Sequence, residues 1–210
     1  MKGAVLKNSF TSLVLSILCI VFTTLAFNLT AKENTITIPQ FNSGTLGKHL
    51  HYFQEKNKRL TLAEAQQHFT NSDVKQGASH SISLGIDVAP VWLRFTVNNA
   101  SDLEQIYRLS IETPWLDYID TWVIQHNNIV KHIQGGDAYP YELRPMPYRF
   151  YAFEHLYPVG VTEVFIRIEA KGPMAIPVQF SSLDEAVNRD VVNAYQYGAL
   201  YGIMLALALY

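Results

Sequence analysis

One segment, residues 135–151 ("GGDAYPYELRPMPYRFY"), gathers most of the side chains in this sequence that could recognise a ligand. Guanidinium groups donate paired hydrogen bonds to carboxylates, and aromatic rings stack on the apolar face of a sugar ring. The candidate ligand contacts in this segment are Asp137, Tyr139, Tyr141, Arg144, Tyr148 and Arg149. Their chemistry favours capture of a sugar or a carboxylate.

The same side chains could instead brace the segment against its own domain. Asp137 follows two glycines, where a carboxylate commonly caps a turn, and Arg144 or Arg149 could pair with it. Turn capping is the preferred interpretation for Asp137, and both interpretations stay open for the arginines. Trp115, which follows Pro114, is a further candidate ligand contact, with a core or lid position as its alternative.

Catalytic and metal chemistry are poorly represented in the sequence. His49 and His51 share a strand face, a spacing that can chelate a metal, but no third ligand is evident. Asp117 and Asp120 could hold calcium, although turn capping is preferred. The only cysteine, Cys19, lies in an apolar N-terminal run, and the motifs of common enzyme classes are absent. We therefore expect no enzyme activity, no metal and no cofactor.

Short strands must position these candidates. In residues 91–99 ("VWLRFTVNN") the apolar residues alternate with Trp92, Arg94 and Thr96, which is the period of a half-buried strand. Eight further stretches with strand character are residues 35–39, 48–53, 106–112, 118–124, 128–134, 148–155, 163–170 and 176–180. Many short strands separated by turn residues predict a mainly β fold, an antiparallel sandwich or jelly roll.

Two helices are predicted beside the strands. Thr61 and Glu64 form a capping box that starts a short surface helix over residues 61–69. Ser182 and Glu185 form a second capping box, and no strong breaker follows it, which predicts one helix over residues 183–210. This second helix begins polar and becomes wholly apolar.

The composition of the second helix is typical of a membrane span. Its apolar run, residues 198–210, is shorter than a bilayer requires, so we interpret it as the start of a first transmembrane helix. Tyr195, Tyr197 and Tyr201 stand where an aromatic belt would mark the interface, and Arg189 and Asp190 are expected to stay in water. The alternative is a core helix of a soluble protein.

The N-terminal residues 1–31 are predicted to be a signal peptide or an N-terminal anchor. Lys2 and Lys7 precede an apolar run over residues 13–27, and Ala26 or Ala31 could mark a cleavage site. The predicted domain organisation is completed by a sandwich over residues 32–181 and a juxtamembrane and membrane-entering helix over residues 182–210. The formal net charge of −2 argues against nucleic-acid partners.

Several segments together resemble a known receptor family. They are "GKHLHYFQEKNKRLTLAEAQQHF", "VWLRFTVNNAS", "IETPWLDYIDTWVI", "GGDAYPYELRPMPYRFYAFEH" and "YGIMLALALY". Their order and spacing resemble the second type of extracellular domain in bacterial seven-transmembrane receptors with diverse intracellular signalling modules. One position departs from that pattern, because Tyr148 stands where the family would place a histidine.

The resemblance implies a periplasmic jelly-roll sandwich similar to carbohydrate-binding modules, anchored in a bacterial inner membrane. It implies a sensor that binds a glycan or another small ligand and passes the signal through its own membrane helices to a cytoplasmic output module, such as a diguanylate cyclase or histidine kinase. A homodimer is compatible with such a receptor. The main alternative is an envelope module that binds a glycan or a protein without signalling, and a glycan hydrolase is a second alternative.

Overall fold

Strand β6 (Val91–Asn99) shows how the alternating pattern becomes a sheet face. In the computed structural model, which describes residues 35–71 and 74–210, the side chains of Val91, Leu93 and Val97 are fully buried and Phe95 is nearly so. Trp92 points to the opposite face and is also fully buried, under a second layer. Both faces of the central strand are therefore covered, as expected for a strand so rich in apolar residues.

The described residues form thirteen strands and two α-helices. The strands are β1 (Ile36–Ile38), β2 (Ser43–Thr45), β3 (His51–Gln54), β4 (Lys75–Gln76), β5 (Ile82–Ile86), β6 (Val91–Asn99), β7 (Gln105–Ile111), β8 (Tyr118–Gln125), β9 (Asn128–Gly135), β10 (Tyr151–Tyr157), β11 (Gly160–Glu169), β12 (Pro173–Ile176) and β13 (Val178–Ser182). The helices are α1 (Leu62–Asn71) and α2 (Leu183–Leu209), and short 3-10 turns occupy Gly47–His49 and Tyr141–Leu143.

Two antiparallel sheets make the sandwich. The larger has the strand order β4-β3-β6-β11-β8-β9, with β1 added in parallel to β6, and the smaller has the order β10-β7-β13-β2. Strands β5 and β12 form a separate two-stranded sheet. The main core lies between the two large sheets, where for example the rings of Phe95 and Phe180 meet at 6.1 Å. The predicted mainly antiparallel β-sandwich is thus confirmed.

Helix α1 covers the outer face of the larger sheet. Its N-terminus has the predicted capping box, in which the Glu64 amide donates to Thr61 Oγ1 at 3.3 Å and the Thr61 amide donates to Glu64 Oε2 at 2.8 Å. Ala65 and Phe69 are its buried residues, and the Phe69 ring meets Phe165 of β11 at 5.7 Å. The helix therefore adds a small second core to the sandwich.

A buried ion pair lies beside this second core. Both Arg167 Nε and Nη2 donate to the Glu55 carboxylate at 2.9 Å, and the side chains are only 3% and 5% exposed. Trp92 Nε1 and the Leu60 amide complete the shell of Glu55 at 2.8 and 3.1 Å. Burial raises the pKa of Glu55, but the hydrogen bonds from Arg167, Leu60 and Trp92 outweigh it and the pKa lies below the ordinary value.

Helix α2 follows the last strand of the smaller sheet directly. It has 27 residues, which corresponds to a length of about 40 Å at the usual rise per residue of an α-helix. Its bounds agree with the helix predicted over residues 183–210. By length and composition it could cross a membrane, and none of its most apolar stretch is buried against the rest of the described chain. Its exposure in the described chain is typical of a membrane span rather than of a buried core helix.

The strand predictions succeeded where the alternation was regular. Each of the nine predicted stretches contains a strand, but residues 148–150 lie in a loop and Pro177 divides residues 173–182 into β12 and β13. Strands β2 and β4 were missed because they are short and carry little apolar alternation, whereas β5 was missed although Ile82, Leu84 and Ile86 alternate in it. The predicted N-terminal signal helix lies outside the described residues.

Candidate functional site

The first turn of α2 is tied to the sandwich without a linker. The Glu185 amide donates to Ser182 Oγ at 3.4 Å, which confirms Ser182 as the N-cap. Glu185 does not close the predicted capping box; its carboxylate instead accepts from Asn42 Nδ2 at 2.9 Å. Ser182 also donates its amide to the Asn42 carbonyl at 2.7 Å. The helix therefore begins in a fixed orientation relative to the smaller sheet.

Asp190, two turns into α2, forms the centre of the contact with the smaller sheet. Its carboxylate accepts from Nη1 of Arg108 on β7, whose side chain is only 7% exposed. The same guanidinium donates to Glu154 of β10 at 2.9 Å. Burial opposes the charge of Arg108, but the bonds to Asp190 and Glu154 outweigh it and raise its pKa. Asp190 is thus paired with the sandwich, while its side chain stays 31% exposed.

Tyr148 reaches the same carboxylate from the loop over residues 136–150. Its hydroxyl donates to Asp190 Oδ1 at 3.0 Å, and the guanidinium of Arg108 lies 5.7 Å from its ring centroid. Burial, and then the hydrogen bond to Asp190, raise the pKa of Tyr148. The phenol therefore remains a hydrogen-bond donor at every physiological pH.

Two further pairs flank Asp190 on α2. Arg189 forms a salt bridge of 2.9 Å with Glu112, which follows β7, so it too contacts the sandwich. Arg149 Nη1 donates to the Tyr197 hydroxyl at 3.2 Å, with its guanidinium 5.4 Å from the Tyr197 ring. We call the group Arg108, Glu112, Tyr148, Arg149, Arg189, Asp190 and Tyr197 the helix joint.

Arg144 braces the loop that carries Tyr148 and Arg149. Its Nη1 donates to the carbonyl oxygens of Tyr148 and Arg149 at 3.0 and 3.2 Å, and its guanidinium lies 4.8 Å from the Tyr141 ring. This places Tyr148 and Arg149 against α2. These contacts agree with the interpretation in which Arg144 braces the loop.

The remaining candidates lie nearby but make separate contacts. Tyr139 meets the ring of Tyr118 at 5.8 Å, and the indole of Trp115 donates to the Pro173 carbonyl at 2.9 Å while the residue is 48% exposed. The Asp137 amide donates to the Leu116 carbonyl at 2.7 Å. Within residues 35–71 and 74–210, neither arginine of the loop forms a salt bridge with the Asp137 carboxylate, so the predicted pairing is not observed.

The space enclosed by this loop is small. Arg144, Arg149 and Asp137 line a cavity of about 10 Å³ together with Tyr151, room for a single water molecule. Gly136 has a φ of +123°, and a Cβ there would lie 2.3 Å from the Asp117 carbonyl oxygen, so the loop base requires glycine. Ligand contact by the loop residues stays a prediction.

The other carboxylates have structural partners. Asp117 accepts from the Lys171 amide at 2.8 Å, and Asp120 accepts from Gln134 Nε2 at 2.7 Å. No group of three histidine, aspartate, glutamate or cysteine residues suited to a metal occurs in the described part of the chain, so a site at His49 and His51 has no third ligand there.

Sequence reasoning missed the members of the joint that come from the sandwich. Arg108 lies in the middle of the predicted strand 106–112, on the face opposite Tyr107 and Leu109, both of which are buried in the core. A lone arginine on the outer face of an apolar strand was the available signal that something acidic covers that face. The sequence alone does not show which acidic residue pairs with Arg108.

Taken together, the site is a sandwich fixed by hydrogen bonds and ion pairs to a helix that is long and apolar enough to enter a membrane. This is the arrangement of a folded domain attached to a candidate membrane helix. The profile of the family described as 7TMR-DISM extracellular 2 matches residues 47–182, about two thirds of the chain. The chain belongs to this family of receptor sensor domains, which confirms the resemblance seen in the sequence.

The similarity to solved structures is weak. Among solved structures, the enzymatically active domain of tailspike protein 4 from bacteriophage CBA120 matches with 13% identity and a TM-score of 0.33. The match covers 74% of this chain and 24% of the tailspike chain, and the low TM-score gives it no weight in assigning a function. No curated protein matches the chain.

Proposed function

We propose that the sandwich senses a small ligand in the periplasm, a carbohydrate or another small molecule, and passes the signal through α2 to a cytoplasmic output module of a receptor in the inner membrane. The observation that carries this proposal is the helix joint. Asp190 is held from two sides, by Arg108 of the smaller sheet and by Tyr148 of the loop. A change in either element therefore acts on the helix.

The joint suits transmission of a movement. Contacts occur at Glu185, Arg189, Asp190 and Tyr197, which distribute them over more than three turns of the helix. A helix held at several levels cannot swivel independently of the sandwich, so a ligand-induced shift of β7 or of the loop would tilt or rotate it. Such rigid-body coupling biases a receptor between two states by differential contacts.

The experiment is an insertion that breaks this continuity in the full-length receptor. A flexible Gly-Ser linker after Asn193 separates Asp190 from Tyr197 and should remove the response of the output module to stimulus while leaving the sandwich folded. The matched control is the same insertion between His126 and Asn127, in the tight turn that joins β8 to β9, where both residues already have positive φ.

The alternatives predict different outcomes. A receptor loses its response with the insertion after Asn193 and keeps it with the insertion in the β8–β9 turn. A response that survives the insertion after Asn193 would contradict coupling through α2. A sandwich that binds a ligand in the intact receptor but never changes output would favour the envelope binding module instead.

A further inference from the structure

A second surface, remote in sequence from the loop, has the dimensions of a ligand site. A cleft of about 550 Å³ opens between β3, α1 and the segment before β6, lined by Tyr52, Phe53, His68, Lys56 and Lys75, among others. Small-molecule sites typically measure about 300–1,000 Å³. The cavity at the loop, by contrast, measures about 10 Å³.

One wall of the cleft is a rigid aromatic surface. The ring of Phe53 on β3 stacks on the imidazole of His68 on α1, with centroids 3.9 Å apart and planes inclined by 17°. Phe69 meets Phe53 edge-on at 4.9 Å from behind. Because Phe53 is 7% exposed and belongs to the second core, this wall is held by packing before any ligand arrives.

The charge in the cleft is positive. Glu55 lines it, but its carboxylate is neutralised by Arg167 and accepts two further hydrogen bonds, from Trp92 Nε1 and the Leu60 amide. Lys56 and Lys75 are exposed, and neither forms a salt bridge with another residue of the described chain. The nearby Lys58 and Arg59, by contrast, are engaged by Glu64 and Asp120. Two lysines without a salt-bridge partner among the described residues therefore line the cleft.

We propose that this cleft binds a small carboxylate that carries a ring, with the carboxylate between Lys56 and Lys75 and the ring against the half-buried imidazole of His68, which Phe53 backs. Ammonium groups attract anions, and a flat ring packs favourably on an aromatic surface. A uronic sugar and an aromatic carboxylate share this chemistry. The claim that the cleft serves sensing rests on the proposed receptor function. The claim that it binds a carboxylate rests only on the geometry of the cleft.

Binding is measured by calorimetric titration on the 210-residue chain in lipid nanodiscs. The probes are D-glucuronate and benzoate, with D-glucose and benzyl alcohol as neutral counterparts of the same ring size. We expect at least one carboxylate to bind and its neutral counterpart to bind at least tenfold more weakly, with the difference shrinking as salt concentration rises. Binding of D-glucuronate would indicate a uronic sugar as the ligand class, and binding of benzoate would indicate an aromatic carboxylate.

Variants locate the binding. The double variant Lys56→Met and Lys75→Met should weaken carboxylate binding at least tenfold, with thermal stability retained because both side chains are exposed. Lys171→Met, an exposed lysine outside the cleft, is the matched control and should leave binding unchanged. Binding of neither carboxylate, equal binding of the neutral probes, or full binding by the double variant would overturn the proposal.

The result separates the cleft from the receptor function. Carboxylate binding that leaves amide hydrogen exchange in α2 unchanged supports the cleft and contradicts its role in sensing. A receptor that responds to other stimuli through α2, while its cleft binds neither carboxylate, contradicts the cleft alone.

Discussion

The Tyr148 hydroxyl donates a hydrogen bond of 3.0 Å to Asp190 Oδ1 and thereby joins the loop over residues 136–150 to helix α2. Asp190 also accepts from Arg108, so strand β7 and the loop converge on one carboxylate. The loop that the sequence indicated as a ligand site thus makes its best-defined contacts with the helix. Because the loop contacts α2, a movement of the helix also changes the contacts of the loop.

Tyr148→Phe tests the strength of this bond. The substitution removes only the hydroxyl, and a hydrogen bond to a charged group contributes about 1.5–3 kcal/mol. Because Asp190 keeps its contact with Arg108, we expect a loss near the lower end, with Tm falling by about 3–6 °C in thermal unfolding. Tyr139→Phe, which removes a hydroxyl from the same loop without a contact to α2 in the described structure, should leave Tm almost unchanged. Equal effects of the two substitutions would contradict the assignment.

The buried pair of Glu55 and Arg167 should respond asymmetrically to substitution. Arg167→Leu leaves the Glu55 carboxylate buried without its counter-ion, which costs about 3–5 kcal/mol in the free energy of unfolding. The double variant with Glu55→Leu removes both charges and should recover most of that loss. Urea unfolding of the two variants measures the difference, and a double variant as unstable as Arg167→Leu would show that the loss does not come from the unpaired charge of Glu55.

His155 should make the stability of the sandwich pH-dependent. Burial, and to a smaller extent Lys131, lower the pKa of His155 from 6.5 to about 4. Because the pKa is depressed in the folded state, the unfolded chain binds more protons between pH 6.5 and about 4, and stability falls as the pH decreases through that window.

The matched variant is His155→Phe, which keeps a ring against Tyr157, whose centroid lies 4.8 Å away. Thermal unfolding at a series of pH values should show a shallower loss of stability between pH 6.5 and 4 than in the unsubstituted chain. Carboxylates that titrate in the same range affect both proteins alike. Parallel pH profiles would mean that His155 is not buried as described.

Asn42→Ala tests the first turn of α2. Asn42 donates to Glu185 and accepts from Ser182 Oγ at 2.8 Å, so the alanine variant loses two side-chain contacts with the helix start. We expect a loss of about 1 kcal/mol in the free energy of unfolding, similar to that of a helix cap. Asn128→Ala, at the exposed first residue of β9, removes only a bond to the His126 carbonyl at 3.2 Å; it is the control and should change stability little.

Much of the fold could be predicted from local patterns. The period of two in β6 defined both sheet faces, and the capping residues Thr61 and Ser182 located both helix starts, because these features depend on neighbouring residues in the chain. The short strands β2 and β4 could not be recognised, since their strand geometry comes from pairing with β13 and β3 rather than from their own residues.

The site was predictable only in part. The sequence singled out the loop residues but not the helix contact that they make, because Arg108 and Asp190 are 82 positions apart and meet only in the folded chain. The proposed cleft likewise forms only in the folded chain, where Lys56, which follows β3, and Lys75 on β4 line the same cleft.

Amide hydrogen exchange of residues 186–197 in the nanodisc-embedded chain tests the central claim most directly. We compare the unsubstituted chain with Asp190→Ala, which removes the centre of the helix joint, and with Asp184→Ala, an exposed acid in the first turn of the same helix. If the joint holds α2 to the sandwich, exchange of these amides accelerates at least tenfold in Asp190→Ala and stays unchanged in Asp184→Ala. Unchanged protection in Asp190→Ala would show that the helix does not depend on the joint and would contradict transmission through it.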